Sequence, residues 1–179
     1  GTAVNNGGSH GLYISNDNGV SHSYTISSAT SYVHAYREFE ITQADMYSFS
    51  FDWKAYGESS WDLLRAFLVP DSMPTVAGNA YGMNSNYNTV PTGWTDLGNG
   101  ILNLSTSWKS VYKEISIADP GIYKLVFFWK NDGGTGTQPP AAVDNVDIRL
   151  LTCPLVRNVI VTDIADDFAT IEWDAQTTA

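Results

Sequence analysis

FSFDWKAYGESSWDLLRAFLVP, residues 49–70, and YKLVFFWKNDGGTGTQPPAAVDNVDI, residues 123–148, follow one plan. Each begins as an aromatic-rich strand ending in Trp-Lys, passes through a polar loop with glycine and acidic groups, and continues into a second strand. In the first, Phe49, Phe51 and Trp53 alternate with Ser50, Asp52 and Lys54. A period of two gives one aromatic and one polar face, as in an antiparallel strand packed on one side. Such blocks bury aromatics inside a sheet sandwich and set an acidic, oxygen-rich loop at its rim. That is the layout of a binding module rather than of a catalytic cleft.

The same period runs through most of the chain. Across residues 31–41, Tyr32, His34, Tyr36 and Glu38 alternate with Val33, Ala35, Arg37 and Phe39. Further strands are expected at residues 11–15, 47–55, 63–69, 107–117, 121–130 and 142–151, with an Asp-Pro-Gly turn at 119–121. No segment carries a helical period. The expected fold is all-β, an antiparallel jelly-roll sandwich of about eight to ten strands spanning residues 1–151. Within it, residues 71–100 are rich in Gly, Asn, Ser and Pro, and a loop this long is usually functional or floppy. Residues 152–179 change character and read as two strands around an Asp-rich turn. Some 25 residues cannot build a sandwich alone, so this segment reads as the truncated start of a second domain. Exposed Val159, Val161, Ile171 and Trp173 would make an aggregation-prone edge, so these strands are expected to pack on the sandwich or on a neighbouring chain.

Composition narrows the function. Aromatics make up 13% and charged residues 16%, with 15 glycines, which suits an extracellular all-β domain. A net charge of −10 with 9 basic residues argues against nucleic acid and against anionic membrane. No apolar run is long enough to cross a bilayer, so membrane insertion is not expected. Cys153 stands alone, which precludes an intrachain disulfide. The opening GTAVNNGG is no signal peptide and reads as a start inside a longer protein, so secretion stays open.

LYISND (12–17), SFDWKAYGES (50–59) with Asp62, FLVP (67–70) and FFWKNDGGTGTQPPAAVDNV (127–146) together carry a resemblance. They resemble extracellular jelly-roll domains of Bacteroidetes surface proteins, of the cleaved-adhesin and MAM-like group in the galactose-binding-like superfamily. The tail, CPLVRNVIVTDIADDFATIEWD (153–174), is similar to the first two strands of a fibronectin type III domain, a likeness that puts Trp173 in a core. The resemblance implies a secreted or surface-anchored protein that binds or adheres without chemistry of its own.

Asp144, at the start of a strand, is the leading metal candidate. Acids there in related jelly rolls serve as calcium ligands or as internal hydrogen-bond anchors, and both readings stay open. Asn16 and Asp17 could complete a structural calcium site, because calcium takes six to eight oxygens. Glu58 and Asp62 flank Trp61. They could pair with Arg65 or Lys54, hold a metal, or serve as a glycosidase pair. Trp61, Tyr56, Tyr81 and Tyr87 lie in or beside loops among asparagines, and with Asp132 they could form a glycan site. Alternatively, the long loop folds back and buries its aromatics, with Trp94 structural. Phe49, Phe51, Trp53, Trp108, Phe127, Trp129 and Trp173 are expected in the core. No Gly-x-Ser-x-Gly elbow or His cluster supports catalysis. The expected partner is therefore a glycan or an extracellular protein, with a carbohydrate-binding module serving an enzyme elsewhere, or a spacer, as alternatives.

Overall fold

In a computed structural model, residues 1–83, 88–152 and 158–174 are described. They form β1 (Leu12–Tyr13), β2 (Ser31–Ile41), β3 (Asp45–Ala55), β4 (Leu63–Pro70), β5 (Thr95–Asp96), β6 (Ser105–Ile117), β7 (Gly121–Asn131), β8 (Ala142–Leu150), β9 (Ile160–Ile164) and β10 (Ala169–Glu172). Every pairing is antiparallel. One sheet runs β1-β8-β3-β6 and the other β2-β7-β4-β5. Successive strands change sheet except at β4 to β5, which is the path of an eight-stranded jelly roll.

The expected alternation builds the main core. Phe49, Phe51 and Trp53 of β3 face Leu125, Phe127 and Trp129 of β7 across the sandwich, all nearly inaccessible. Phe51 and Phe127 meet edge to face at 5.2 Å. Trp108 is only half-buried on β6, and the Lys54 ammonium lies 5.0 Å from its ring.

β4 does not alternate, and Leu63 through Val69 are all buried. Its continuous apolar run marks a strand covered on both faces. The second cover comes from the long connection between β4 and β6. Met73, Tyr81, Met83 and Trp94 pack on Phe67, Val69, Val126 and Phe128, making a third layer outside the β2-β7-β4-β5 sheet. The connection is thus folded rather than floppy where it is described. Buried cations pin it. Arg65 pairs with Asp96 at 3.0 Å, and Lys124 pairs with Asp71 at 2.7 Å while donating to the Asp71 and Met73 carbonyls.

β9 and β10 form a separate two-stranded sheet. Ile160, Val161, Ile164, Phe168, Ile171 and Trp173 are all more than half exposed. Among the described residues these strands do not bury these side chains on the sandwich, and Trp173 lies in no core of this chain; the alternative expectation, packing on a neighbouring chain, concerns a partner outside this structure. Two strands alone have no second layer to bury an apolar face.

Candidate functional site

The two loops that share a plan meet at one rim of the sandwich. Leu63 of β4 pairs with Lys130 of β7, which brings residues 57–62 beside residues 131–137. Gly57 and Thr137 exchange backbone hydrogen bonds at 3.0 Å in both directions. Gly57 has φ +60°, and a Cβ there would lie 2.3 Å from the Asp62 carbonyl oxygen. Glycine alone allows this turn and this approach together. Gly136 allows the second loop to close over the first, since a Cβ at 136 would meet the Tyr24 hydroxyl at 2.3 Å and Asp62 Oδ2 at 2.6 Å.

This closure gathers Glu58, Asp62 and Asp132, each placing a carboxylate oxygen within 4.8 Å of the others. Asp62 has no exposed surface. Its Oδ2 accepts from the Tyr24 hydroxyl at 2.6 Å and its Oδ1 from the Asp132 amide at 3.0 Å. Burial pushes its carboxyl above the usual value, against both hydrogen bonds, and the neighbouring carboxylates add to the rise. Glu58 Oε1 accepts from Thr135 at 2.7 Å. Asp132 Oδ1 caps the Gly134 amide at 2.9 Å. Asn103 Nδ2 donates to the Glu58 carbonyl at 2.8 Å and ties the loop to the body.

Trp61 stands beside this cluster with 47% of its surface exposed. Lys130 donates to the Trp61 carbonyl at 2.8 Å, and its ammonium lies 5.2 Å from the ring centroid. Burial lowers the Lys130 pKa, and the carboxylates of Asp132, Asp62 and Glu58 oppose that shift. Trp61, Asp132 and the Glu58–Asp62 loop are thus brought together, as the sequence motifs suggest. Pairing of Glu58 or Asp62 with Arg65 or Lys54 does not form, because Arg65 points into the outer layer toward Asp96 and Lys54 lies on Trp108. Tyr24 and Lys130 are the members that sequence reasoning missed. Lys130 had a signal in the repeated Trp-Lys ending, whereas Tyr24 arrives from a distant polar segment with none.

Of the other candidates, Tyr56 adjoins this rim beside the Gly57–Thr137 pairing, whereas Tyr81 lies in the outer layer. Tyr56 is half-buried, with its backbone bonded to Pro139 and Leu104. Tyr81 packs on Trp94 at 4.8 Å and edge-on to His34 at 5.7 Å, and its hydroxyl accepts from the Val76 amide. Trp94 is 7% exposed, so the aromatics seen in the long connection are packing residues. Tyr87 lies outside the described residues.

Asp144 anchors the start of the chain. Its Oδ2 accepts from the Asn6 amide at 2.5 Å. Asp52 Oδ2 accepts from the side chains of Asn6 and Asn145, both at 2.8 Å, closing a clasp over β3 and β8. Hydrogen bonds from Asn145 first, then Ser110 and Asn6, hold the Asp52 carboxyl below its usual value despite some burial. Asn16 and Asp17 do not join Asp144. Leu12 pairs with Val143 and Tyr13 with Ala142, and the Ile14 amide bonds the Ala141 carbonyl, so the chain runs away from Asp144 as it approaches Asn16. Five residues of strand separate the levels of Asp144 and Asn16, about 16 Å. Asn16 and Asp17 instead bond Ser15, Ser21, Ser23 and Thr25 within their own turn. Of the two readings of Asp144, the hydrogen-bond anchor is the one with partners in place. Replacing Asp144 by alanine is expected to cost about 1–3 kcal/mol, because the Asn6 amide loses its acceptor. A lowered urea midpoint with an unchanged slope would show it.

No known protein family, curated protein or solved structure matches the chain.

Proposed function

We propose that this chain is a non-catalytic recognition module of an extracellular protein, secreted or held at a cell surface, that binds glycan at the rim around Trp61. The observation that carries this reading is the half-exposed Trp61 ring beside Glu58, Asp132 and Thr135, on loops clamped by the Gly57–Thr137 pairing. An indole presents an apolar face to the C–H face of a sugar ring, while carboxylates and hydroxyls beside it take the sugar's hydroxyl groups. An apolar platform with a few fixed polar groups is what small-ligand recognition uses. Fully buried Asp62 cannot itself reach a sugar, which suits a supporting role more than attack on a glycosidic bond.

Calcium belongs to this reading at Glu58, Asp62 and Asp132, which supply three of the six to eight oxygens the ion needs. Binding requires Asp62 ionised. Its carboxyl is raised by burial, so calcium affinity is expected to fall as pH drops through that raised value, in a window above 3.8. Without the ion the sign reverses. The folded state then holds a proton that the unfolded chain has released, so stability falls as pH rises through the same window. Affinity electrophoresis through gels containing soluble polysaccharides, run with calcium or with a chelator, tests the reading. Retardation that the chelator abolishes is expected, and unretarded migration through every polysaccharide would contradict it. Packing of Tyr81 and Trp94 within the outer layer favours the second reading, a spacer, should no glycan bind.

A further inference from the structure

The register of β2 on β7 sets Val33, Ala35, Arg37, Phe39 and Ile41 on the face shared with Trp129, Phe127, Leu125 and Tyr123. That face looks into the sandwich, where strand residues are ordinarily apolar. Arg37 takes a place in this row but is exposed, so its guanidinium stands at the solvent edge of the two sheets. The opposite sheet is open at the same level. β1 pairs with β8 only at Val143 and Ala142, and beyond the Asn6 clasp on Asp144 and Asn145 no strand pairs with the outer edge of β8 among the described residues. Between β2 and β8 lies a groove of about 480 Å³, lined by Ala35, Phe39, Leu125, Phe127, Val146 and Ile148, with Arg37 as the charged group among its lining residues.

The other side of the sandwich differs. Lys113 of β6 sits opposite Phe49 and donates to Asn99 Oδ1 at 2.7 Å, and buried Leu97 and Leu102 close that side. No hydrogen bond or ion pair holds Arg37 among the described residues. A free, planar donor fork at the mouth of an apolar slot matches a carboxylate carried on an aliphatic chain. The volume falls within the roughly 300–1,000 Å³ of small-ligand sites. At about 30 Å³ per group it takes on the order of a dozen non-hydrogen atoms.

We propose that this groove binds an anionic amphiphile, an aliphatic carboxylate whose chain lies between the sheets and whose carboxylate sits on Arg37. The site is separate from the Trp61 rim, and either can fail without the other. The test is calorimetric titration of the full chain with decanoate and with decan-1-ol, each below its aggregation limit, on the wild type, Arg37→Gln and Ala35→Trp. Saturable decanoate binding is expected, weakened at least about tenfold in Arg37→Gln, with decan-1-ol affinity unchanged within about twofold. Ala35→Trp, which fills the slot, is expected to remove both. The Arg37→Gln arm decides the matter whether or not Ala35→Trp folds. Absence of saturable decanoate binding would overturn the proposal, as would equal decanoate affinity in the wild type and Arg37→Gln. So would self-association of the ligand-free protein that Ala35→Trp abolishes, since the groove would then be an interface between copies of this chain.

Discussion

Asp96→Ala is expected to destabilise the protein by about 3–5 kcal/mol, the range seen when one partner of a buried ion pair is removed. Arg65 has no exposed surface, and its guanidinium donates to Asp96 at 3.0 Å and to the Thr89 carbonyl at 3.4 Å. Asp96 also accepts from the Gly100 amide at 2.8 Å through its second oxygen. Alanine at 96 leaves a charge buried beneath the outer layer and frees the turn that returns the chain to the core. Thermal unfolding followed by circular dichroism reads the loss, which at this size is a fall of roughly 6–20 °C. Joint replacement of Arg65 and Asp96 by apolar residues should cost much less, because no charge is then stranded. A loss under 1 kcal/mol for Asp96→Ala would mean that the charge of Arg65 is carried by its other partners or by water rather than by Asp96.

Trp94→Ala is expected to cost a similar amount, about 3–5 kcal/mol, by a different route. The Trp94 ring packs edge-on to Phe67 at 5.3 Å and against Tyr81 at 4.8 Å. It is the largest side chain of the outer cluster. Its removal leaves a void that the connection must collapse into or abandon. Hydrogen exchange separates this from general weakening, because amides at Tyr81 and Met83 should open before those of β3. Uniform acceleration across both sheets would show that the outer layer does not unfold as its own unit.

Both effects concern a layer that the sequence hid. The sandwich was legible because alternation over 47–55 and 31–41 fixes which side chains share a face. The rim was legible because two Trp-Lys strands ending in acidic, glycine-containing loops point to one edge. The outer layer was not, because Met73, Tyr81, Met83 and Trp94 follow no period and are separated by Gly, Asn and Pro. What betrays it is LLRAFLV, which fails to alternate because β4 is covered on both faces. Asp144 was legible as an unusual acid but not in its partners. Those depend on how β1 registers on β8, and two paired residues are too few to read from a pattern. Arg37 was visible as the polar member of an apolar row, yet only the pairing with β7 shows that the row faces inward.

Recognition at the rim is tested most directly by printing one glycan array and probing it in calcium with the wild type and with Trp61→Ala. Trp61 is half exposed, so its truncation should leave the unfolding midpoint nearly unchanged. Wild-type signals that fall by about tenfold or more in Trp61→Ala are the predicted result, in line with the loss of a central aromatic anchor. Equal signals from the two proteins, or no wild-type signal on any glycan, would contradict a recognition site at this rim.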